Sequence, residues 1–118
     1  MRGLGTDIVE IVRIEKALGN RRFLARVYTQ REQEYLQSVG KLAAQSAAGM
    51  FCAKEAVAKA LGSGFSGGLR LTDIEITHSA LGAPEARVAG RDELRLLLSI
   101  SHCREYATAT ALLWEEEI

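Results

Sequence analysis

The sequence predicts an α+β fold: an antiparallel sheet packed by one long alanine-rich helix and several shorter ones. Three observations predict it. Helical patterns cluster in the first half of the chain and strand patterns in the second, which is not the strand–helix alternation of a doubly wound sheet. The longest helical pattern, 41–61, is rich in alanine, the strongest helix former. Composition is that of an ordinary globular domain, with 47% hydrophobic, 25% charged and 6% aromatic residues among 118. That length reads as a single domain over 1–118 that can bury a core without disulfides or metals.

Each element follows from local pattern. Residues 3–11, GLGTDIVEI, alternate with period two and carry β-branched residues, as a strand does. Residues 12–18 read as a short helix ending at Gly19, and 21–27 as a further helical turn or two. Thr29 and Glu32 fit a capping box that opens a helix from about 30 to 38, stopped near Gly40. The long helix follows and Gly62 ends it. GSGFSGG (62–68) is a glycine-rich loop, LTDIEIT (71–77) a strand, LGAP (81–84) a turn and EARVA (85–89) a strand. Residues 91–95 read as a short helix or loop. LLLSISH (96–102) and YATATALLW (106–114) are strands joined by the tight turn Cys103-Arg104-Glu105.

Several function classes fall away. Fifteen basic residues balance fifteen acidic ones, so net charge gives no argument for nucleic acid. No apolar run approaches the ~20 residues of a membrane span. Asp7 and Glu10 interrupt the N-terminal apolar stretch, so it does not read as a signal peptide. Cys52 and Cys103 have neither redox nor zinc spacing and read as free thiols in a reducing cytoplasm. Neither a Rossmann nor a P-loop motif is present.

Charge is uneven along the chain. Arg13, Lys16, Arg21, Arg22, Arg26 and Arg31 face a single acid, Glu15, whereas the tail carries Glu115, Glu116 and Glu117. One reading is a solvated helix face. The other is a dock for an acidic partner, and Phe23, Leu24 and Val27 among the arginines suit a protein contact.

Two carboxylates sit on apolar faces. Asp7 shares a strand face with Gly5, Val9 and Ile11, where it needs a cation, a metal or several donors. Glu55 lies beside Ala48, Phe51 and Cys52 on the long helix, with Lys59 one turn on. Separately these are a structural aspartate and a surface ion pair worth ~0.3–0.5 kcal/mol. Together with the glycine-rich loop they are the parts of a magnesium–phosphate site, since magnesium takes one or two carboxylates plus substrate phosphates. The loop lies at the helix C-terminus, where the dipole does not attract anions, so phosphate contacts there must come from amides or side chains. His102 stands at a strand end on the face of Leu96, Leu98 and Ile100, either as a hydrogen-bonded surface residue or as a site group. Ser99 and Ser101 have no nucleophile elbow around them.

These segments, in this order, resemble the holo-[acyl-carrier-protein] synthases, the small 4'-phosphopantetheinyl transferases. The resemblance rests on GTDIVEIVRI (5–14), FCAKEAVAKALGSG (51–64), TDIEI (72–76) with its GAP turn, SISHCREYATA (99–109) and RFLARVYTQREQEY (22–35). It implies transfer of 4'-phosphopantetheine from coenzyme A to a serine of apo-acyl carrier protein, with release of adenosine 3',5'-bisphosphate, in fatty acid biosynthesis. It further implies Asp7 and Glu55 as magnesium ligands, and Lys59 as a phosphate contact that helps deprotonate the serine. Gly62, Ser63, Gly64 and His102 would be coenzyme A contacts. The resemblance implies a homotrimer with sites at subunit clefts. Arg13, with Arg22, Phe23 and Arg26, would dock the acidic carrier; Lys16 and Arg21 are added on charge alone. The alternative is a coenzyme A- or nucleotide-binding trimer of the same fold without transferase activity. Met50 departs from the arginine usual at its place, which removes one cation for coenzyme A or shifts it to a residue such as Lys41 or Arg70.

Overall fold

The computed structural model describes residues 2–115, so the acidic-tail residues Glu116 and Glu117 lie outside it. Strand β1 (Arg2–Glu10) leads into helices α1 (Ile11–Ala17), α2 (Arg21–Val27) and α3 (Gln30–Ser38). A 3-10 turn, Gly40–Leu42, precedes the long helix α4 (Ala43–Ala60). A second such turn, Leu71–Asp73, precedes strands β2 (Ile74–His78), β3 (Pro84–Val88), β4 (Leu94–His102) and β5 (Tyr106–Glu115). The architecture is the expected α+β one. β1, β5 and β4 form an antiparallel sheet in that order, and β2 and β3 form a separate hairpin.

Helix α4 packs on the inner face of the three-stranded sheet and forms the centre of the core. Its buried face is mostly small, with Ala47, Ala48, Gly49, Ala53, Ala56 and Ala60, and the sheet answers with Ala107, Ala109, Ala111 and Leu113. Small residues facing each other bring helix and sheet backbones close together. Gly3 and Gly5 carry this furthest: a Cβ on either would collide with the carbonyl oxygen of Ala60 or Ala56 respectively. Ile74, Ile76 and Val88 of the hairpin complete the core, each of the larger side chains contributing roughly 1.5–3 kcal/mol.

The capping box forms as read: Glu32 N donates to Thr29 Oγ1 at 3.2 Å and Thr29 N to Glu32 Oε1 at 2.8 Å. Three boundaries differ from expectation. The helix expected over 41–61 begins at Ala43, because Gly40 at φ 59° turns the chain and no side chain caps the entry. The strand expected from Leu71 begins at Ile74, because the Asp73 carboxylate accepts from Arg70 N at 2.8 Å and closes a turn. Of the helix or loop expected over 91–95, the loop forms over 91–93, and β4 starts at Leu94 rather than Leu96, paired with Glu115.

Candidate active site

Asp7 stands on the inner face of β1, opposite Ala109 of β5. The close approach allowed by Gly3 and Gly5 sets it against the last two turns of α4, which carry Glu55 and Lys59. Lys59 does not close an i,i+4 pair with Glu55. Its ammonium crosses to β1, donating to Thr6 O at 2.9 Å and to Asp7 Oδ1 at 3.2 Å. The surface-pair expectation therefore fails, because a carbonyl and a carboxylate on the facing strand lie within reach. Lys59 remains half exposed.

Glu55 makes no hydrogen bond or ion pair with another described residue. Partial burial raises its pKa above the ordinary carboxylate value. The nearby Asp7 charge raises it further, and Lys59 opposes both. Two carboxylates thus share one cleft, with the Lys59 ammonium beside Asp7. Cys52 lies behind them, buried, with its thiol on Ala107 O at 3.3 Å. Burial, reinforced by Asp7, pushes that thiol up to about 12, so it stays protonated and is no nucleophile.

Asp7, Glu55 and Lys59 line a cleft of about 520 Å³ shared with Ile8, Val9, Arg13, Ile14, Ala17, Phe23 and Phe51. The carboxylates and lysine that the sequence grouped are therefore brought together, and Arg13 and Phe23, read there as a separate docking patch, line the same cleft. Phe23 reaches the cleft by stacking on Phe51 at 6.3 Å and meeting Tyr28 edge-on at 6.0 Å. Arg22 lies on the exposed rim of α2 and Arg26 lines a different cavity, with Phe65 and Arg70. Arg13, Lys16, Arg21, Arg22 and Arg26 are exposed and pair with no acid among the described residues, whereas Arg31 reaches Glu75 at 3.8 Å.

Two groups stand apart from the cleft. Gly62, Ser63 and Gly64 follow α4 directly, and Gly62 at φ 90° turns the chain away. Gly62 N and Gly64 N bond back to Lys59 O and Ala58 O at 3.0 and 3.2 Å, so their amides serve the helix end within this chain. His102 is exposed and lines a separate cavity of about 220 Å³ with Met50, His78, Gly82 and Pro84. Met50 is buried there rather than replaced in role by a cation. Of the two substitutes considered, Lys41 is exposed and Arg70 is paired to Asp73 at 3.3 Å.

Asp7 and Glu55 fit a magnesium ion as hard oxygen donors at an open cleft. Magnesium takes one or two carboxylates and completes its shell with water and phosphate oxygens; among the described residues no cluster of three or more His, Cys, Asp or Glu that could hold a metal ion is present. The sequence reading missed Phe51 as the partner of Phe23, although their aromatic character was visible. It also missed the buried Lys54–Glu32 pair, 2.6 Å apart, for which the only signal was a lysine on an otherwise alanine-rich helix face.

Comparison with known proteins gives a uniform result. A family model described as the 4'-phosphopantetheinyl transferase superfamily matches residues 3–111. The holo-[acyl-carrier-protein] synthase of Chlamydia muridarum is 47% identical over 118 residues, covering 95% of this chain and 94% of its own. That of Protochlamydia amoebophila is 45% identical over 117 residues, covering 93% and 95%. Among solved structures, the Bacillus anthracis synthase in complex with CoA (3',5'-ADP) superposes with a TM-score of 0.87 at 36% identity, covering 97% and 96% of the two chains. The Helicobacter pylori synthase in complex with coenzyme A gives 0.81 at 34%, covering 94% and 99%.

Proposed function

The chain belongs to the 4'-phosphopantetheinyl transferase superfamily, among the holo-[acyl-carrier-protein] synthases, and from that premise we propose how its cleft performs the transfer. The substrate is coenzyme A, the acceptor is a serine of an apo-acyl carrier protein, and the products are holo-carrier and adenosine 3',5'-bisphosphate. The observation that carries this reading is the joint placement of Asp7, Glu55 and Lys59 with Arg13 and Phe23 in one cleft. Residues 1–118 act as one transferase domain in the cytoplasm, serving fatty acid biosynthesis.

Asp7 and Glu55 hold magnesium; when bound, the ion neutralises charge on the pyrophosphate and stabilises the leaving bisphosphate. Lys59, steadied by Thr6 O, offers its ammonium to phosphate oxygens. Phosphate would compete with Asp7 for Lys59, leaving the Asp7 carboxylate available to the ion it would hold with Glu55. Lys59 also assists loss of the serine Oγ proton by orienting a water that takes the proton to solvent, as that oxygen bonds to phosphorus and the bond to the departing bisphosphate breaks. Phe23, Phe51 and Ile14 wall the cleft against water, and Arg13, Arg22 and Arg26 receive the acidic carrier.

The working unit is a homotrimer. Leu4 and Leu97 both stand beside Leu112 on the outer face of the sheet, at 68%, 59% and 44% exposure, with Ile8 at 64% on the same face. Further copies of the chain would cover this row. His102 and its cavity, and Gly62–Gly64, would then complete the coenzyme A site across a subunit boundary.

Incubation with apo-carrier, coenzyme A and magnesium, followed by intact-mass measurement of the carrier, tests the reaction. A gain of one phosphopantetheine that EDTA abolishes supports it. Coenzyme A binding without any gain would favour the binding-only alternative. Sedimentation at about three times the 12.9 kDa chain mass supports the trimer, and a monomer would refute it.

A further inference from the structure

Lys54 precedes Glu55 in the chain but turns into the core, fully buried. Its ammonium donates among four oxygens: Val27 O and Glu32 Oε1 at 2.6 Å, Ile74 O at 2.8 Å and Leu71 O at 3.0 Å. An ammonium has three N–H bonds, so this acceptor set saturates it. Glu32 is used as fully, since Oε1 also accepts from Thr29 N and Oε2 from Ile76 N at 2.7 Å.

The placement has a pattern. Val27 is the last residue of α2, and its carbonyl has no partner within the helix. Glu32 stands in the first turn of α3. The cation thus meets the negative end of one helix and the anion the positive end of the next. Replacing a buried ion pair with apolar groups often leaves stability unchanged or improved. What apolar groups cannot do is fix the directions of three carbonyls from two separate segments, the end of α2 and the turn that opens β2. The Phe23–Phe51 stack and Tyr28 OH on Ala47 O at 2.7 Å also tie this segment to α4, and Val27 and Leu24 pack into the core without fixing a direction.

We infer that Lys54 is a positioning residue for carrier engagement: with Glu32 it locks α2, bearing Arg22, Phe23 and Arg26, beside the cleft formed by Asp7, Glu55 and Lys59. The inference rests on the proposed docking role of α2 and adds the element that sets its place. Loss of the lock loosens α2 while α4 keeps its seat on the sheet, so carrier engagement suffers and coenzyme A binding does not.

The test is Lys54→Met, with Leu113→Ala as a reference that lowers the melting temperature from within the sheet core. Lys54→Met is expected to raise the carrier KM at least ten-fold and leave the magnesium-dependent Kd for coenzyme A within two-fold. Amides 21–28 should exchange hydrogen at least ten-fold faster, with 43–60 unchanged. Leu113→Ala should leave the carrier KM within two-fold. Equal carrier KM in the two variants, or unchanged exchange over 21–28, overturns the inference. Because Lys54→Met strands the Glu32 carboxylate, the double variant Glu32→Leu/Lys54→Met is made alongside, and is expected to fold and to show the same rise in KM. A double variant that fails to fold, or that engages carrier like the parent protein, also overturns it. Absence of transfer by the parent protein would instead defeat the functional reading, and the exchange comparison would still decide whether Lys54 positions α2.

Discussion

Gly5→Ala is the substitution that most directly joins packing to catalysis. The added methyl would overlap the Ala56 carbonyl oxygen and lie 2.8 Å from Ala60 N and 2.9 Å from the Ala56 carbonyl carbon. Carbon contacts settle near ~3.5–4.0 Å and the overlap with the carbonyl oxygen is the tightest of the three, so β1 must retreat from α4 by more than about 1 Å. Overpacking of this kind costs about 1–3 kcal/mol, or a melting temperature lower by roughly 5–15 °C in a domain of this size. The same retreat carries Thr6 and Asp7 away from Lys59. Their present separations of 2.9 and 3.2 Å would then exceed the ~3.2 Å reach of a good hydrogen bond. Misplacement of reacting groups by about 1 Å costs on the order of 10²-fold in rate. Thermal denaturation and carrier intact-mass kinetics read the two effects separately. Gly19→Ala is the control, since its Cβ would meet only Lys16 O at 3.5 Å; it should keep parental rate and stability. A Gly5→Ala protein with parental rate and melting temperature would refute the claim that glycine at this position sets the site.

Three further outcomes follow from the same geometry. Arg13→Glu should raise the carrier KM by ten-fold or more at low salt and leave coenzyme A binding intact; equal losses in both, seen by calorimetry, would mark a folding defect. Lys59→Met should lower kcat by two or more orders of magnitude, with near-parental circular dichroism, and parental turnover would remove lysine from the chemistry. His78 has a buried, unpartnered Nδ1 and stacks on Tyr35 at 4.3 Å, and burial lowers its pKa below the ordinary value of 6.5. The unfolded chain therefore takes up this proton first as pH falls through about 6.5, so stability drops with falling pH by up to ~1.4 kcal/mol per unit. His78→Phe should flatten that part of a urea-denaturation series between pH 7 and 5, and an unchanged slope would count against it.

Much of this was legible in sequence because it is local. The Thr29/Glu32 capping box and the bounds of α3 follow from spacing alone, and the period-two pattern placed Asp7 on the inner face of β1. The Ala-rich helix was legible, but its close seat against Gly3 and Gly5 of β1 was not. What escaped depends on distant segments. Lys59 bonds to β1, more than fifty residues away, in preference to Glu55 on its own helix, and no local rule weighs those options. Glu32 was visible as a cap, but its buried lysine partner comes from α4 and the amide it accepts from β2. His102 shares a face with Leu98 and Ile100 as read, yet the fold turns it toward Met50 and Pro84 rather than into the Asp7 cleft. Strand alternation says which face a residue takes, not which cavity that face meets.

The central claim is that Asp7 and Glu55 hold the magnesium on which transfer depends. Titrating magnesium against the transfer rate of Asp7→Asn and Glu55→Gln, beside the parent protein, tests it most directly. The account predicts that both variants stay folded, fall by at least two orders of magnitude in rate at the parent's saturating magnesium, and need more of the ion for half-maximal rate. Rates and half-saturating magnesium matching the parent in both variants would contradict it.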